Sequence, residues 1–394
     1  MTELESGLII DLENQFMADS QNSIHAPERL SMLALHFVDG IGSYLIKQLV
    51  SYCGSAQQVF KTPKGKLLKI PGIGAKTAEA ILVARPHHLA EKEFEKAEKE
   101  EVEILFFTDK QFPSRLKTIE DAPSLLYQKG NINLQHMKTV GVVGTRQATS
   151  YGKEMVEKII EELVPHQPTI ISGLAYGIDI HAHKQAIKNN LSTIGVMGSG
   201  MDIIYPAAHK ETARKMLDEG GLITENHFGT KPDAHNFPAR NRVIAGLSDA
   251  LIVIEAAEKG GALITAEIAN SYNKDVFAVP GNIGQTYSEG CNKLIRTNKA
   301  NLLTSVKDLE YIMNWTIEQV NGNTKPLTLF DTTDFEPHEQ KIIELIRAKN
   351  GPLPIDELSW KSAIQPGELA SILLGLEFKG AIQSLPGKMY KLTR

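Results

Sequence analysis

Two cysteines in 394 residues, Cys53 and Cys291, are too few and too far apart for a disulfide framework. Neither sits in a C-x-x-C spacing, so a cysteine-based zinc site is excluded too, and both are expected as small buried hydrophobes. No run approaches the roughly 18 consecutive apolar residues that a membrane-spanning helix needs. The opening stretch MTELESGLIIDLENQ is acidic where a secretory signal would be basic, so the expected address is cytoplasmic. An excess of positive charge is missing as well: 42 Lys and Arg stand against 47 Asp and Glu, a net of -5. There is therefore no global attraction to nucleic acid, and any such site must be a local cluster. Neither G-x-x-x-x-G-K-[ST] nor G-x-G-x-x-G occurs, which removes the signatures of nucleoside triphosphate hydrolysis and of ordinary NAD binding. No repeat of 20 to 50 residues runs through the chain.

What is present is an ordinary globular composition, 42% hydrophobic and 23% charged, in a chain long enough for two or three domains. Residues 1–88 read as a helical domain in which Gly-Ile-Gly occurs twice, at 40–42 and 72–74. The run AEKEFEKAEKEEVE, residues 90–103, reads as a solvated connector helix with Glu and Lys at helical spacing. A mixed, proline-bearing segment follows. From Lys138 short apolar runs alternate with helical patterns, the texture of βα units on a parallel sheet. Strands are expected at Thr139–Val143, Thr169–Ser172, Thr193–Met197, Gly221–Thr224, Ala250–Ile254 and Asp275–Val279. Between them, helices are expected at Gly152–Leu163, Ile180–Asn189, His209–Glu219, Asn241–Leu247 and Ala262–Asn273. The fold class is α/β: a doubly wound, Rossmann-like domain over 89–320, then a polar linker over 321–335 and a small domain over 336–394.

In an open α/β sheet, ligands bind beyond the carboxyl ends of the strands. The loops there are rich in glycine: Gly144-Thr145-Arg146, Ser172-Gly173-Leu174-Ala175-Tyr176-Gly177 and Gly198-Ser199-Gly200. Such loops let backbone approach a ligand and aim helix N–H groups at an anion; on their own they also serve merely as tight βα turns. Residues 138–310 hold 18 basic and 19 acidic side chains, so placement decides whether a polyanion is attracted. Arg146, Arg240, Arg242, Lys259, Lys293 and Arg296 fall in loops or helix starts after the strands, whereas Glu154, Glu157, Glu161 and Glu162 lie within a helix. Phe237 beside Arg240, Asn241 and Arg242 pairs a stacking surface with phosphate donors, although it would serve equally as a core residue. Asp179 is expected as a helix N-cap. His181 and His183 lack a third metal ligand, so no metal site is expected.

The strings GVVGTR, ISGLAYGIDIHAH, GVMGSGMDIIYP, FPARNRVIAGLSDALIVIEAAEKGGALITAEIA and VFAVPGNIGQTYSEGCNKLIR resemble, in order, the DprA (Smf) family of DNA-processing proteins. The resemblance extends upstream through ILFFTDKQFPSRLKTIEDAPSLLYQKG and spans well over half the chain. It implies a non-enzymatic homodimer that binds incoming single-stranded DNA in natural transformation, shields it and helps load RecA upon it, with no cofactor. By the same resemblance Gly144, Thr145, Arg146, Ser172 and Gly173 would line a phosphate pocket, and Arg240, Asn241 and Arg242 would form its basic wall. Lys259 to Thr265 and Asn292-Lys293 would be neighbours. Tyr176 stands where many relatives carry arginine, which removes a cation and offers a stacking ring instead.

The flanks fit that family. Both Gly-Ile-Gly turns resemble helix-hairpin-helix motifs of a SAM-like region, where glycine N–H groups with Lys76 nearby would hold DNA backbone, or where the hairpins would only pack. Residues 336–394 resemble a winged helix. That segment carries 8 basic and 7 acidic side chains, weak for a DNA reader, and a packing or partner-binding role is preferred. The alternative function is a nucleotide-binding or nucleoside-monophosphate-hydrolysing enzyme of Rossmann-like fold. Its PGG-x-GT-type loop is not matched by Glu258-Lys259-Gly260-Gly261-Ala262.

Overall fold

The computed structural model describes residues 27–233, 236–316, 335–349, 353–362, 364–379, 381–385 and 389–392. They belong to two compact units that divide after residue 317. The linker expected over 321–335 lies, but for Phe335, outside the described residues, as do the first 26 residues of the N-terminal domain.

The first unit is built on a nine-stranded sheet: β1 Glu103–Phe106, β2 Leu125–Gly130, β3 Thr139–Val143, β4 Thr169–Gly173, β5 Thr193–Val196, β6 Gly221–Thr224, β7 Ala250–Val253, β8 Asp275–Ala278 and β9 Asn301–Leu302. Their order across the sheet is β1-β2-β6-β5-β4-β3-β7-β8-β9. The strands from β6 through to β9 pair in parallel, with Val140 of β3 level with Ile170 of β4 and Ala250 of β7. β1 and β2 close one side antiparallel. Central strands such as TVGVV and ALIV are buried along their whole length, which is why they read as unbroken Val and Ile runs. The chain winds outward from β3 to β6 and then jumps back to β7, so the topological switch point lies between β3 and β7.

Helices cover both faces. Ser150–Leu163 and Ile178–Lys188 pack on one side through Val156, Ile160, Ile178 and Ala182. Asn236–Leu247 and Gly261–Ser271 pack on the other through Val243, Ile244, Ala262 and Ala266. All six expected strands and all five expected helices are present, with ends shifted by a few residues; β1, β2 and β9 are additions. The helix expected from Asn241 begins at Asn236 instead, because Pro238 falls in its first turn, where a missing N–H costs nothing.

The N-terminal helices share one core with the sheet: Leu33, Ile46 and Ile81 belong to the same apolar cluster as Ile104, Tyr127 and Leu222. The segment read as a solvated connector is corrected here. It is the helix His87–Lys99, whose Ala90, Glu93, Phe94 and Ala97 are buried. Glu93 accepts from the buried Tyr127 hydroxyl at 2.9 Å and from the Phe228 N–H at 2.9 Å. The two Gly-Ile-Gly turns bury Ile41 and Ile73, with Gly40 and Gly72 at φ +77° and +82°, a region that favours glycine. Cys291 is buried, its thiol pushed up to about 12 by burial, whereas Cys53 is only half-buried.

The second unit is three helices, Pro337–Lys349, Ile355–Ser362 and Pro366–Phe378, with a small antiparallel sheet β10 Leu353–Pro354, β11 Ile382–Leu385 and β12 Met389–Leu392 in the order β10-β12-β11. Leu358, Leu369, Leu373 and Leu376 fill its core. No helix among the described residues is long and apolar enough to cross a membrane.

Candidate nucleic-acid interface

At the switch point a cleft of about 650 Å³ opens between the loop after β3 and the loop after β7. Of the residues singled out from sequence it brings together Gly144, Thr145, Arg146, Phe237, Arg240, Asn241 and Lys259. An adjoining recess adds Tyr176 and Gly198 beside Arg146, Phe237 and Arg240. The first loop is fixed at both ends: the Thr145 N–H donates to the Glu255 carbonyl at 2.8 Å, and the Thr145 carbonyl accepts from the Ile178 N–H at 3.1 Å. Helix Gly261–Ser271 starts in the cleft, so the positive end of its dipole faces the space.

The cations play different parts. Arg240 is 6% exposed and donates from Nη1 to the Val196 carbonyl at 2.5 Å. Opposite it, across Gly173, lies Asp179, which is buried as well. Burial pushes the Asp179 carboxyl up and the guanidinium opposes that shift. Gly173 is required there, since a Cβ would overlap both side chains. Arg146 stands at the mouth, its guanidinium 5.2 Å from the Phe237 ring centroid. Among the described residues neither Arg146 nor Lys259 forms an ion pair, so both charges are available to a ligand. With three cations against Asp179, the cleft carries a local positive charge that the overall charge conceals.

Several candidates lie elsewhere. Ser172 is fully buried, its hydroxyl donating to the Val142 carbonyl at 2.5 Å beside the Asp179 carboxylate, so it does not itself line the cleft. Ser199 is 2% exposed and donates to the Ile203 carbonyl at 2.6 Å, and Gly200 is buried beside it. Arg242 projects from the opposite side of its helix and pairs with Glu225. Two residues along a helix are about 200° apart, which separates Arg242 from Arg240. Lys293 lies 3.9 Å from Glu258, outside the cleft lining. Asp179 is not the N-cap it was expected to be: Gly177 holds that position at φ +79°, and Asp179 is turned inward to Arg240. His183 is a buried structural residue, 2.7 Å from both Thr193 Oγ1 and the Gly173 carbonyl, with its pKa lowered to about 4 by burial. Sequence reasoning missed Tyr205 and Tyr287, which line the cleft from positions several residues beyond the glycines of their loops.

The chain is similar to known proteins along most of its length. Residues 103–314 match the profile of DNA recombination-mediator protein A, residues 330–388 that of the DprA winged helix domain, and residues 32–85 a SAM-like helix-hairpin-helix tandem. The chain belongs to the DprA (Smf) family. Protein Smf of Synechocystis is 31% identical over 92% of this chain and 98% of its own length. The DNA processing protein DprA of Streptococcus pneumoniae is 43% identical over 50% of this chain and 70% of its own. A solved DprA structure from Streptococcus pneumoniae superposes with a TM-score of 0.64 at 34% identity, covering 72% of this chain and 96% of that one. A DprA from Helicobacter pylori, described for its single-stranded DNA binding mode, superposes at 0.50 with 26% identity, over 55% of this chain and 97% of that one. The DprA fold thus accounts for the helix-hairpin-helix layer, the Rossmann-like sheet and the winged helix together.

Proposed function

We propose that this DprA family member is a recombination mediator that binds single-stranded DNA in the switch-point cleft, shields the incoming strand in the cytoplasm during natural transformation and helps load RecA upon it, working as a homodimer. The observation that carries the reading is that two cations without an ion pair among the described residues, Arg146 and Lys259, line one cleft with Phe237 and the buried Arg240. Phosphates would meet the charges and the helix N-terminus, and an unstacked base would meet the Phe237 ring. The Helicobacter pylori relative supports the choice of ligand. By the same reading Gly144, Thr145, Asn241, Tyr176 and Gly198 line the strand's path, while Arg242 and Ser172 act only through the fold.

A nucleotide-hydrolysing reading finds less support. The N-terminus of helix Ser150–Leu163, the first after β3, is already taken by a carboxylate: Glu255 accepts from the Thr149 N–H at 3.0 Å and its hydroxyl at 2.5 Å. A nucleotide phosphate at that helix would have to displace it.

The test is anisotropy with labelled single-stranded and duplex oligonucleotides, wild type beside Arg146→Ala/Lys259→Ala. Single-strand preference lost in the variant is the expected result. Binding that is equal for both forms, or unchanged in the variant, refutes the reading. RecA loading is tested separately, by filament formation on a strand coated with single-strand-binding protein; no acceleration refutes that part alone.

A further inference from the structure

A second cleft, of about 660 Å³, adjoins the cationic one and differs from it in chemistry. It opens between the start of helix Ser150–Leu163 and the loop after β8, residues 280–288, and Tyr287 lines both clefts. Its walls are tied down from several directions. The Asn292 side chain accepts from the Gly281 N–H at 3.1 Å and donates to the Gly281 carbonyl at 2.9 Å. The Tyr151 hydroxyl donates to the Pro280 carbonyl at 2.7 Å, the Ala256 N–H to the Tyr287 carbonyl at 2.7 Å, and the Tyr287 hydroxyl to Gln147. A cleft fixed in this way needs little ordering before a ligand enters.

Among the described residues no Lys or Arg lines it, and its one charged side chain is Glu255, already held by Thr149. A phosphate there would face a carboxylate with no compensating cation. What the cleft offers instead is a set of exposed polar side chains, Ser150, Asn282, Gln285 and Thr286, none of which hydrogen-bonds to another described residue. The two amides each present a donor and an acceptor side by side, the arrangement that meets the edge of a nucleobase. Tyr151 and Tyr287 add ring faces on which a base stacks.

We infer that this second cleft is a nucleobase subsite, taking a base of the strand whose phosphates occupy the cationic cleft. The strand passes Tyr287, sets a neighbouring base against the tyrosines and turns its edge to Asn282 and Gln285. The inference rests on the single-stranded DNA reading above and adds to it a division of labour: one cleft for phosphates, the next for bases.

The test uses the full-length protein at one salt concentration, with strands of about 12 nucleotides. One strand is complete; the other keeps every phosphate but has bases only in a central block of about four, the flanks being abasic. Wild type is expected to bind the abasic-flanked strand about fivefold more weakly, the size of a few lost base contacts. Asn282→Ala/Gln285→Ala is expected to bind the complete strand about fivefold more weakly and to show no further loss on the abasic-flanked one. A variant that matches wild type on both strands, or that keeps the full abasic penalty, overturns the subsite. An equal loss on both strands overturns it too, since the residues would then act on the phosphate cleft. Failure of wild type to bind either strand instead refutes the DNA reading beneath it.

Discussion

Replacing Arg146 and Lys259 together by alanine removes two charges that no ion pair among the described residues uses. Neither is ion-paired among the described residues and both are exposed at the mouth of the cleft, so the melting temperature should hardly move. The effect belongs to counterion release. Each phosphate neutralised on a single strand contributes about 0.7 to the slope of log Kobs against log salt, so the double variant should lose about 1.4 from that slope. Between roughly 50 and 200 mM salt this makes its affinity fall about sevenfold less than that of wild type. Anisotropy titrations at four or more salt concentrations measure it. Arg242→Ala is the matched control, because its guanidinium faces Glu225 on the far side of the helix, and its slope should equal that of wild type. An unchanged slope in the double variant, or an equal fall in Arg242→Ala, would show that charge placement in the cleft has been misjudged.

Three further outcomes follow from contacts described above. Tyr176→Arg puts a cation at the rim of the recess, half-exposed, and should steepen the salt slope by about 0.7 while tightening single-strand binding; a flatter slope would count against a strand passing that rim. Gly152→Ala drives a Cβ into the buried Glu255 carboxylate and should cost about 1–3 kcal/mol in urea unfolding, whereas Gly260→Ala, whose Cβ meets nothing within 4 Å, should cost far less. His183 is held neutral by burial, its pKa at about 4 against an ordinary value near 6.5, so the unfolded chain takes up the proton first on acidification. The stability this residue protects is complete above pH 6.5 and is lost progressively as pH falls towards 4. That amounts to roughly 1 kcal/mol between pH 7.5 and 5.5, and His183→Gln should remove that part of the pH dependence.

The central sheet was legible because its strands are buried on both faces and carry the unbroken Val and Ile runs such burial selects. β1 and β2 were not. EILF follows a Glu- and Lys-rich helix without a break, and LLYQKG sits in a proline-bearing stretch; both become strands through antiparallel pairing that ends on distant β6. The location of the cleft was legible from the glycine loops after the strands. Its detailed membership was not, because Arg240 and Arg242 look alike in sequence until the helix is known to start at Asn236 and sends them to opposite sides. The placement of Asp179 opposite Arg240 was equally hidden, since a capping rule sees only local backbone whereas the opposite charge arrives from a later helix.

The ends of the nine-stranded sheet bear on self-association. β9 is two residues long and β1 four, so the backbone offered for strand addition at either edge is short. Short edges are among the devices that keep sheets from joining edge to edge. A homodimer of this chain would therefore be held by side chains on helix and loop surfaces and not by a sheet running on from one copy into the next. Such contacts can be weakened by single substitutions.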